Sequence, residues 1–249
     1  MSTIKLGVVA LSLPFIAGWL ARTGPAASAA DGAAAYRVVQ TLQVGGQGGW
    51  DYLAVDARHK LLFVPRSTHT MVVDAASGKT VADIPGQRRN HGVAIVPSAG
   101  RGFISDGQDG SVTIFDLETY KVLGKVKAAD DADGIIYDPG CGKVLVSCGD
   151  ANLLLAISPD VDPRSGRPDA AVALGGKPEF LVAGPGKVYV NLVDKDRVAV
   201  VDTKTMGLDA ATHTLYLPVG DPAAARGGKP NPTVKPAPFV VLVVRAAGR

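Results

Sequence analysis

The chain has 249 residues, 47% of them hydrophobic and 20% charged, which is enough apolar material for a sizeable core. Its formal net charge of +3 gives no support for broad polyanion binding. Thirty glycines and seventeen prolines, spread between apolar runs, argue for frequent tight turns and short strands rather than long helices.

The first residues read as a secretion signal. Lys5 supplies a positive n-region, Leu6 to Ala21 is a nearly unbroken apolar run, and Ala27-Ser28-Ala29 offers a small-residue cleavage site. Residues 1–29 are therefore expected to be removed on export to the periplasm or beyond, leaving 30–249 as a single domain. Their removal takes Lys5 and Arg22 and no acid, so the net charge falls from +3 to +1. No later run approaches ~20 apolar residues, so no membrane span is expected after cleavage.

A repeat begins at Trp50, with further units from His91, from Asp133 and from Glu179. The centre of the second strand of each unit falls at Phe63, Phe103, Leu145 and Tyr189, spaced by 40, 42 and 44 residues. The residue closing the third strand falls at Asp74, Asp116, Ser158 and Asp202, spaced by 42, 42 and 44. Two independent landmarks share one period. Each unit reads as four short strands rich in Val, Ile, Leu and Phe, and four strands in 40–45 residues match a propeller blade. A blade cannot bury both faces alone, so blades pack side by side around an axis.

Lys187-Val188-Tyr189-Val190-Asn191, followed by Val198-Ala199-Val200-Val201-Asp202-Thr203, resembles the repeat of the YncE-like (YVTN-repeat) β-propellers. The stretch Leu208 to Leu217 resembles their closing blade. The resemblance covers most of residues 36–245. It implies an all-β propeller of four-stranded antiparallel blades, seven-bladed by family type, with about five blades present and some of them partial. From Asp116 to Asp138 is 22 residues, whereas from Asp202 to Asp209 is only 7. Relative to that family the chain therefore reads as shortened internally near Met206, with the fourth unit lacking its last strand. Lone strands are expected at Tyr36–Val44 and Phe239–Val244, and a proline-rich basic loop over 220–238.

Propeller ligands usually meet the loops that enter the innermost strands. Here those loops carry Trp50, Asp51, Arg88, Arg89, Asn90, His91, Asp131, Asp133, Lys177 and Glu179. Asp51, Asp133 and Glu179 recur at one place in their units and would form an acidic rim beside His91, suited to a cation or a basic ligand; turn capping would explain each carboxylate equally well. Arg88 and Arg89 suit an anion such as a carboxylate or phosphate. Trp50 suits stacking on a ligand or packing between blades. Arg66, His69, Asp106, Gln108, Asp150, Asp194 and Lys195, in loops after second strands, are second-rank candidates. His59 and His213 occupy matching turns, which argues for a structural role and against a zinc site.

No G-x-S-x-G, H-E-x-x-H, C-x-x-C-H or Walker A pattern occurs. The run Gly45-Gly46-Gln47-Gly48-Gly49 precedes a strand and not a helix, so it is no nucleotide loop. No catalytic residue, metal ligand or cofactor is assigned. Cys141 and Cys148 flank a strand, too far apart for a disulfide, so both are expected as free thiols. The leading function is an exported, non-catalytic module that binds an unidentified small ligand or protein. A propeller enzyme or enzyme subunit, quinoprotein-dehydrogenase-like or lactonase-like, is the first alternative. Single-stranded nucleic-acid binding through Trp50, Arg88 and Arg89 is the second, and the near-neutral charge argues against it.

Overall fold

The computed structural model describes residues 40–209 and the strands Leu215–Val219 and Val240–Val244. The chain divides into two compact units, Met1–Thr41 and Leu42–Arg249. The signal-like segment, residues 36–39, His213 and the stretch 220–238 lie outside the described residues.

Four consecutive antiparallel sheets follow one another, each formed in chain order by neighbouring strands. The first contains β1 (Ala54–Asp56), β2 (Leu61–Pro65), β3 (His69–Asp74) and β4 (Thr80–Pro85). The second contains β5 (Asn90–Val96), β6 (Arg101–Asp106), β7 (Ser111–Asp116) and β8 (Val122–Lys127). The third contains β9 (Ala132–Asp138), β10 (Lys143–Cys148), β11 (Leu153–Ile157) and β12 (Ala170–Ala173). The fourth contains β13 (Pro178–Gly184), β14 (Lys187–Leu192), β15 (Arg197–Asp202) and β16 (Gly207–Leu208). The only helical element among the described residues is a single 3-10 turn, Pro97–Ala99.

The register repeats from sheet to sheet. Ala54 pairs with Phe63, Ala94 with Phe103, Ile136 with Leu145 and Val182 with Tyr189. The second-strand landmarks are thus structurally equivalent. The Asp landmarks hold the turns after the third strands. Asp74 Oδ1 accepts from the Ser77 amide at 2.7 Å and its hydroxyl at 2.6 Å. Asp116 does the same with Thr119, and Asp202 with Thr205. These bonds hold the three carboxyls below their usual range, Asp202 down to about 2.

Strand alternation sends every second side chain into the gap between sheets. Phe63, Val72 and Ile84 of the first sheet meet Val93 and Ile104 of the second. Phe103 and Ile114 meet Ile135, Val144 and Val146 of the third. Leu145 and Leu154 meet Leu181, Val188 and Val190 of the fourth. The first strands β5, β9 and β13 pack side by side, and β1 packs on β5. The first strand of every sheet is therefore innermost.

Three expectations are corrected. Residues 40–44 form no strand; Val44 instead packs on Val64, Met71 and Val73, on the side of the first sheet turned away from the second. The following glycines are held by Arg66, whose guanidinium donates to the carbonyls of Gly45, Gly48 and Gly49 at 2.6–3.0 Å. Gly48 has φ +88°, and a Cβ there would lie 2.3 Å from the Arg66 carbonyl oxygen, so a side chain is excluded. The strand β18 (Val240–Val244) is not alone, because it pairs antiparallel with β17 (Leu215–Val219). The fourth sheet does not lack its last strand, but that strand is cut to two residues, since the turn after Asp202 leaves only Gly207 and Leu208 to pair with Asp202 and Val201.

Cys141 and Cys148 are both free; Cys141 precedes β10 and Cys148 is its last residue. Thiol titration of the denatured, unreduced protein is expected to find both. Gly92 faces Tyr52 so closely that a Cβ would lie 1.7 Å from the phenol oxygen. Gly92→Ala is therefore expected to destabilise the fold by roughly 1–3 kcal/mol, read by denaturant melts. An unchanged melting midpoint would show that Tyr52 does not hold this position.

Candidate functional site

The site begins with an irregularity of the innermost strands. His91 and Gly92 lie between the pairs Asn90–Asp106 and Val93–Ile104, so two residues oppose Ser105 alone. Asp133 and Gly134 oppose Ser147 in the same way, and Glu179 and Phe180 oppose Asn191. A two-for-one bulge breaks the strict alternation of the strand and re-aims a side chain. The opposing polar residues satisfy the backbone that the bulge frees. Gly92 N donates to Ser105 Oγ at 3.1 Å, and Phe180 N donates to Asn191 Oδ1 at 2.6 Å. Ser147 Oγ donates to Glu179 O at 2.7 Å.

By the repeating register, Asp51, His91, Asp133 and Glu179 occupy one position in four successive sheets. Three of them converge closely. His91 Nδ1 lies 2.8 Å from Asp51 Oδ2 and 3.5 Å from Asp133 Oδ1. One donor atom from each falls within 4.8 Å of the others, which makes the trio a possible cation site. The His91 and Asp133 side chains are 12% and 13% exposed, and Asp51 is 41% exposed. Burial pushes the Asp133 carboxyl from its ordinary 3.8 up to about 6; His91 opposes the shift, while Glu179, Asp51 and Asp131 add to it by like-charge repulsion.

Tyr52 underlies this cluster. Its ring fills the space left by Gly92, its hydroxyl receives the Ile135 amide at 2.9 Å, and it donates to Asp133 O at 3.4 Å. Its ring also meets Phe180 edge-on, with centroids 5.4 Å apart. One side chain from the first sheet therefore touches the other three. Burial pushes the phenol far above its usual range.

The remaining candidates separate by role. Arg89 pairs with Asp131 at 3.3 Å, and Lys177 bridges Asp131 and Asp150 at 3.2 and 2.7 Å. Arg88 faces Asp109 at 3.7 Å. Arg88 and Arg89, the two cations expected to suit an anion, thus each face a carboxylate already, as does Lys177. Asn90 is buried and donates to His69 O and Thr70 Oγ1, which ties the second sheet to the first. Asp106 is fully buried and bonded to Thr113 and Lys125, also a structural role. His59 bonds Asp56 within its turn. Trp50 does not pack between sheets, because it is 82% exposed. Sequence reasoning missed Tyr52 and the bulges. The available signal was the recurrence of Gly92 and Gly134 after the rim residues, with Ser105 and Ser147 opposite.

No family model and no curated protein matches the chain. Solved structures do. Hydrazine synthase of Kuenenia stuttgartiensis matches 75% of this chain and 55% of its own at 14% identity, with a TM-score of 0.59. The dihydro-heme d1 dehydrogenase NirN, in complex with DHE, matches 69% of this chain and 40% of its own at 12% identity and a TM-score of 0.54. The computationally designed Ika4 protein matches 64% of this chain and 94% of its own at 14% identity and a TM-score of 0.52. The chain is a β-propeller. It spans about half the length of the first two structures. At these identities the likeness carries the fold alone, with four four-stranded blades among the described residues, and does not reach the YncE-like family.

An acid whose folded pKa is raised binds its proton more tightly in the folded state. Stability is then lost as pH rises from about 4 to about 6, and the loss is complete above that window. Asp133→Asn is therefore expected to stabilise the propeller at about pH 7.5 by roughly 1–3 kcal/mol and to change little at about pH 4. Thermal melts at the two pH values decide it. A variant less stable at the higher pH would show that His91 outweighs the burial and repulsion.

Proposed function

We propose that this propeller is an exported, non-catalytic binding module whose axial mouth receives the cationic part of a ligand. The observation that carries the reading is the convergence of Asp51, His91 and Asp133 from three blades, with Glu179 at the same position in the fourth. Among the described residues no lysine or arginine pairs with Asp51 or Asp133, although Asp131, Asp150 and Asp109 nearby all have such partners. Like charges gathered in a partly buried place raise the free energy of the empty protein. A ligand cation relieves that repulsion on binding. The same acidic mouth disfavours a polyanion, and Arg88 and Arg89 are engaged elsewhere, so nucleic acid fits poorly. Export rests on the signal-like residues 1–29.

The test is a thermal-shift screen of cationic, neutral and anionic small molecules at about pH 7.5, with turnover assayed on every hit. Stabilisation by cations that disappears in Asp51→Asn/Asp133→Asn is expected. Stabilisation by anions, or cation effects that survive in the double variant, would overturn the reading. Turnover of a hit would replace the binding module by the enzyme alternative.

A further inference from the structure

At the strand ends away from Asp51, His91 and Asp133, the turns after first and third strands line a notch between each pair of neighbouring blades. The three notches among the described residues are built alike and filled differently. Between the second and third blades the chain fills the notch itself. The connection from β11 to β12 there runs over twelve residues, 158–169, where the first and second blades use five and the fourth uses four. It opens with a β-turn, Ser158-Pro159-Asp160-Val161, closed by the Val161 amide on the Ser158 carbonyl at 3.1 Å. Arg101, the first residue of β6, donates to the carbonyls of Pro159 and Val161 at 3.1 and 2.9 Å. Val161 is 8% exposed and belongs to the core cluster on which Leu123 and Ala99 pack. Pro163 lies on Gly124, where a Cβ would come within 2.2 Å of its carbonyl oxygen.

The notch between the first and second blades has the same parts, but no described segment of the chain enters it. It is a groove of about 630 Å³. By register, Arg58, His59 and Leu61 stand where the second blade has Ser98, Ala99 and Arg101. Val81 and Ala82 stand where it has Leu123 and Gly124. Val81 and Leu123 are each the extra residue of a bulge between third and fourth strands. A bulge re-aims its side chain. Val81 lines the groove and is 52% exposed, whereas Leu123 packs on the cluster that holds Val161. This is the side of the first blade that faces the second, so the exposure is not that of a free end. Leu61, Leu117 and Tyr120 carry the groove down to the core cluster around Phe63. Arg58 has no ion pair and the Tyr120 hydroxyl no hydrogen bond among the described residues. The corresponding groove between the third and fourth blades, about 530 Å³, is built differently. Its outer strand has no bulge, and Asp169 replaces Val81 and pairs with Lys143 at 2.6 Å.

We propose that the groove between the first and second blades docks a proline-led turn of a partner protein, of the type that the chain supplies to its own next groove. Repeated units present equivalent surfaces, so the filled notch shows what its neighbour is shaped to hold. The aliphatic residue of the turn covers Val81 and Tyr120. Its carbonyls accept from Arg58 and the Tyr120 hydroxyl, since Leu61 holds the place of Arg101. The Ala82 methyl keeps the occupant further out than Pro163 sits on Gly124, above Val81 and not inside the core. Proline pre-orders the turn, so a short segment suffices.

The test is fluorescence anisotropy of the labelled, capped heptapeptide of residues 158–164 titrated with the full chain. Saturable binding is expected. Val81→Asp is expected to weaken it at least about tenfold, and Arg58→Ala and Tyr120→Phe about three- to tenfold each. The Val81 and Arg58 side chains are exposed and Tyr120→Phe keeps the ring, so melting temperatures are expected to stay unchanged. The same peptide with alanine in place of its valine is expected to bind at least about tenfold more weakly. Absence of saturable binding would overturn the proposal. So would affinity unchanged in Val81→Asp, which would mean that the peptide exchanges with the chain's own segment beside Arg101. Self-association of the chain that Val81→Asp abolishes, seen by analytical ultracentrifugation, would make the occupant a second copy and overturn it as well.

Discussion

The contact of the Tyr52 ring with the backbone of Gly92 is the constraint on which the site depends. A phenol oxygen can reach the amide of Ile135, one blade further on, only because the intervening blade has no Cβ at that point. That single absence lets one side chain link the innermost strands of all four blades. Blade packing between flat sheets is otherwise pairwise, each sheet meeting only its neighbours. Tyr52 adds a tie across the axis and fixes the distance between Asp51 on its own segment and Asp133 on the third blade. The separation of the two carboxylates is therefore set by a rigid aromatic group and not by loop conformation.

The bulges and the electrostatics follow from the same arrangement. A regular strand would alternate its side chains between the two inter-blade gaps, and no residue would aim along the axis. Two residues set against one break that alternation at His91, Asp133 and Glu179. The polar residue opposite each bulge, Ser105, Ser147 or Asn191, takes up a backbone group that the ladder loses. The charges so gathered oppose the fold, as the raised Asp133 shows, and a stability-directed design would have spread them. The loops that lead into these strands have the opposite character. Arg89, Lys177, Asp131 and Asp150 compensate one another across three blades. Neutralised charge holds the loops, while among the described residues Asp51 and Asp133 have His91 and no lysine or arginine beside them.

The repeat was legible because it is written in local rules. Phe63, Phe103, Leu145 and Tyr189 mark one register position, and Asp74, Asp116 and Asp202 cap one turn by bonds within three residues. Strand alternation and turn capping require no knowledge of distant residues. The acidic rim beside His91 was legible for the same reason, as equal offsets in equal units. What the sequence hid was long-range. Nothing local distinguishes Tyr52, which acts on residues about eighty positions away, from an ordinary strand aromatic. Arg88 and Arg89 read as free cations because Asp109 and Asp131 are brought to them by other strands. Residues 40–44 have a good strand composition, but a strand needs a partner edge, and Val44 found a hydrophobic face instead.

Equivalent positions also show how far blade context, rather than residue type, decides exposure. Leu53 and Leu181 occupy the same register place, one residue before Ala54 and Val182. Leu181 is 1% exposed because the third blade covers it, whereas Leu53 is 54% exposed. Val182, on the far side of the fourth blade, is 57% exposed, while its counterpart Ala94 in the second blade is 3% exposed. The side chains that face a neighbouring blade are sealed, whereas Leu53 and Val182 at the two ends are not; on the outer side of the first blade Val44 takes a neighbour's place over Val64, Met71 and Val73. Hydrophobic burial scales with the area covered, so the inner two blades hold most of the stabilising contacts. The rim residues follow this gradient. His91 and Asp133 project from the sealed blades and are nearly buried, whereas Asp51 projects from an end blade and stays open. Within the cluster the end blade therefore supplies the accessible carboxylate, Asp51, and the central blades the enclosed pair, His91 and Asp133.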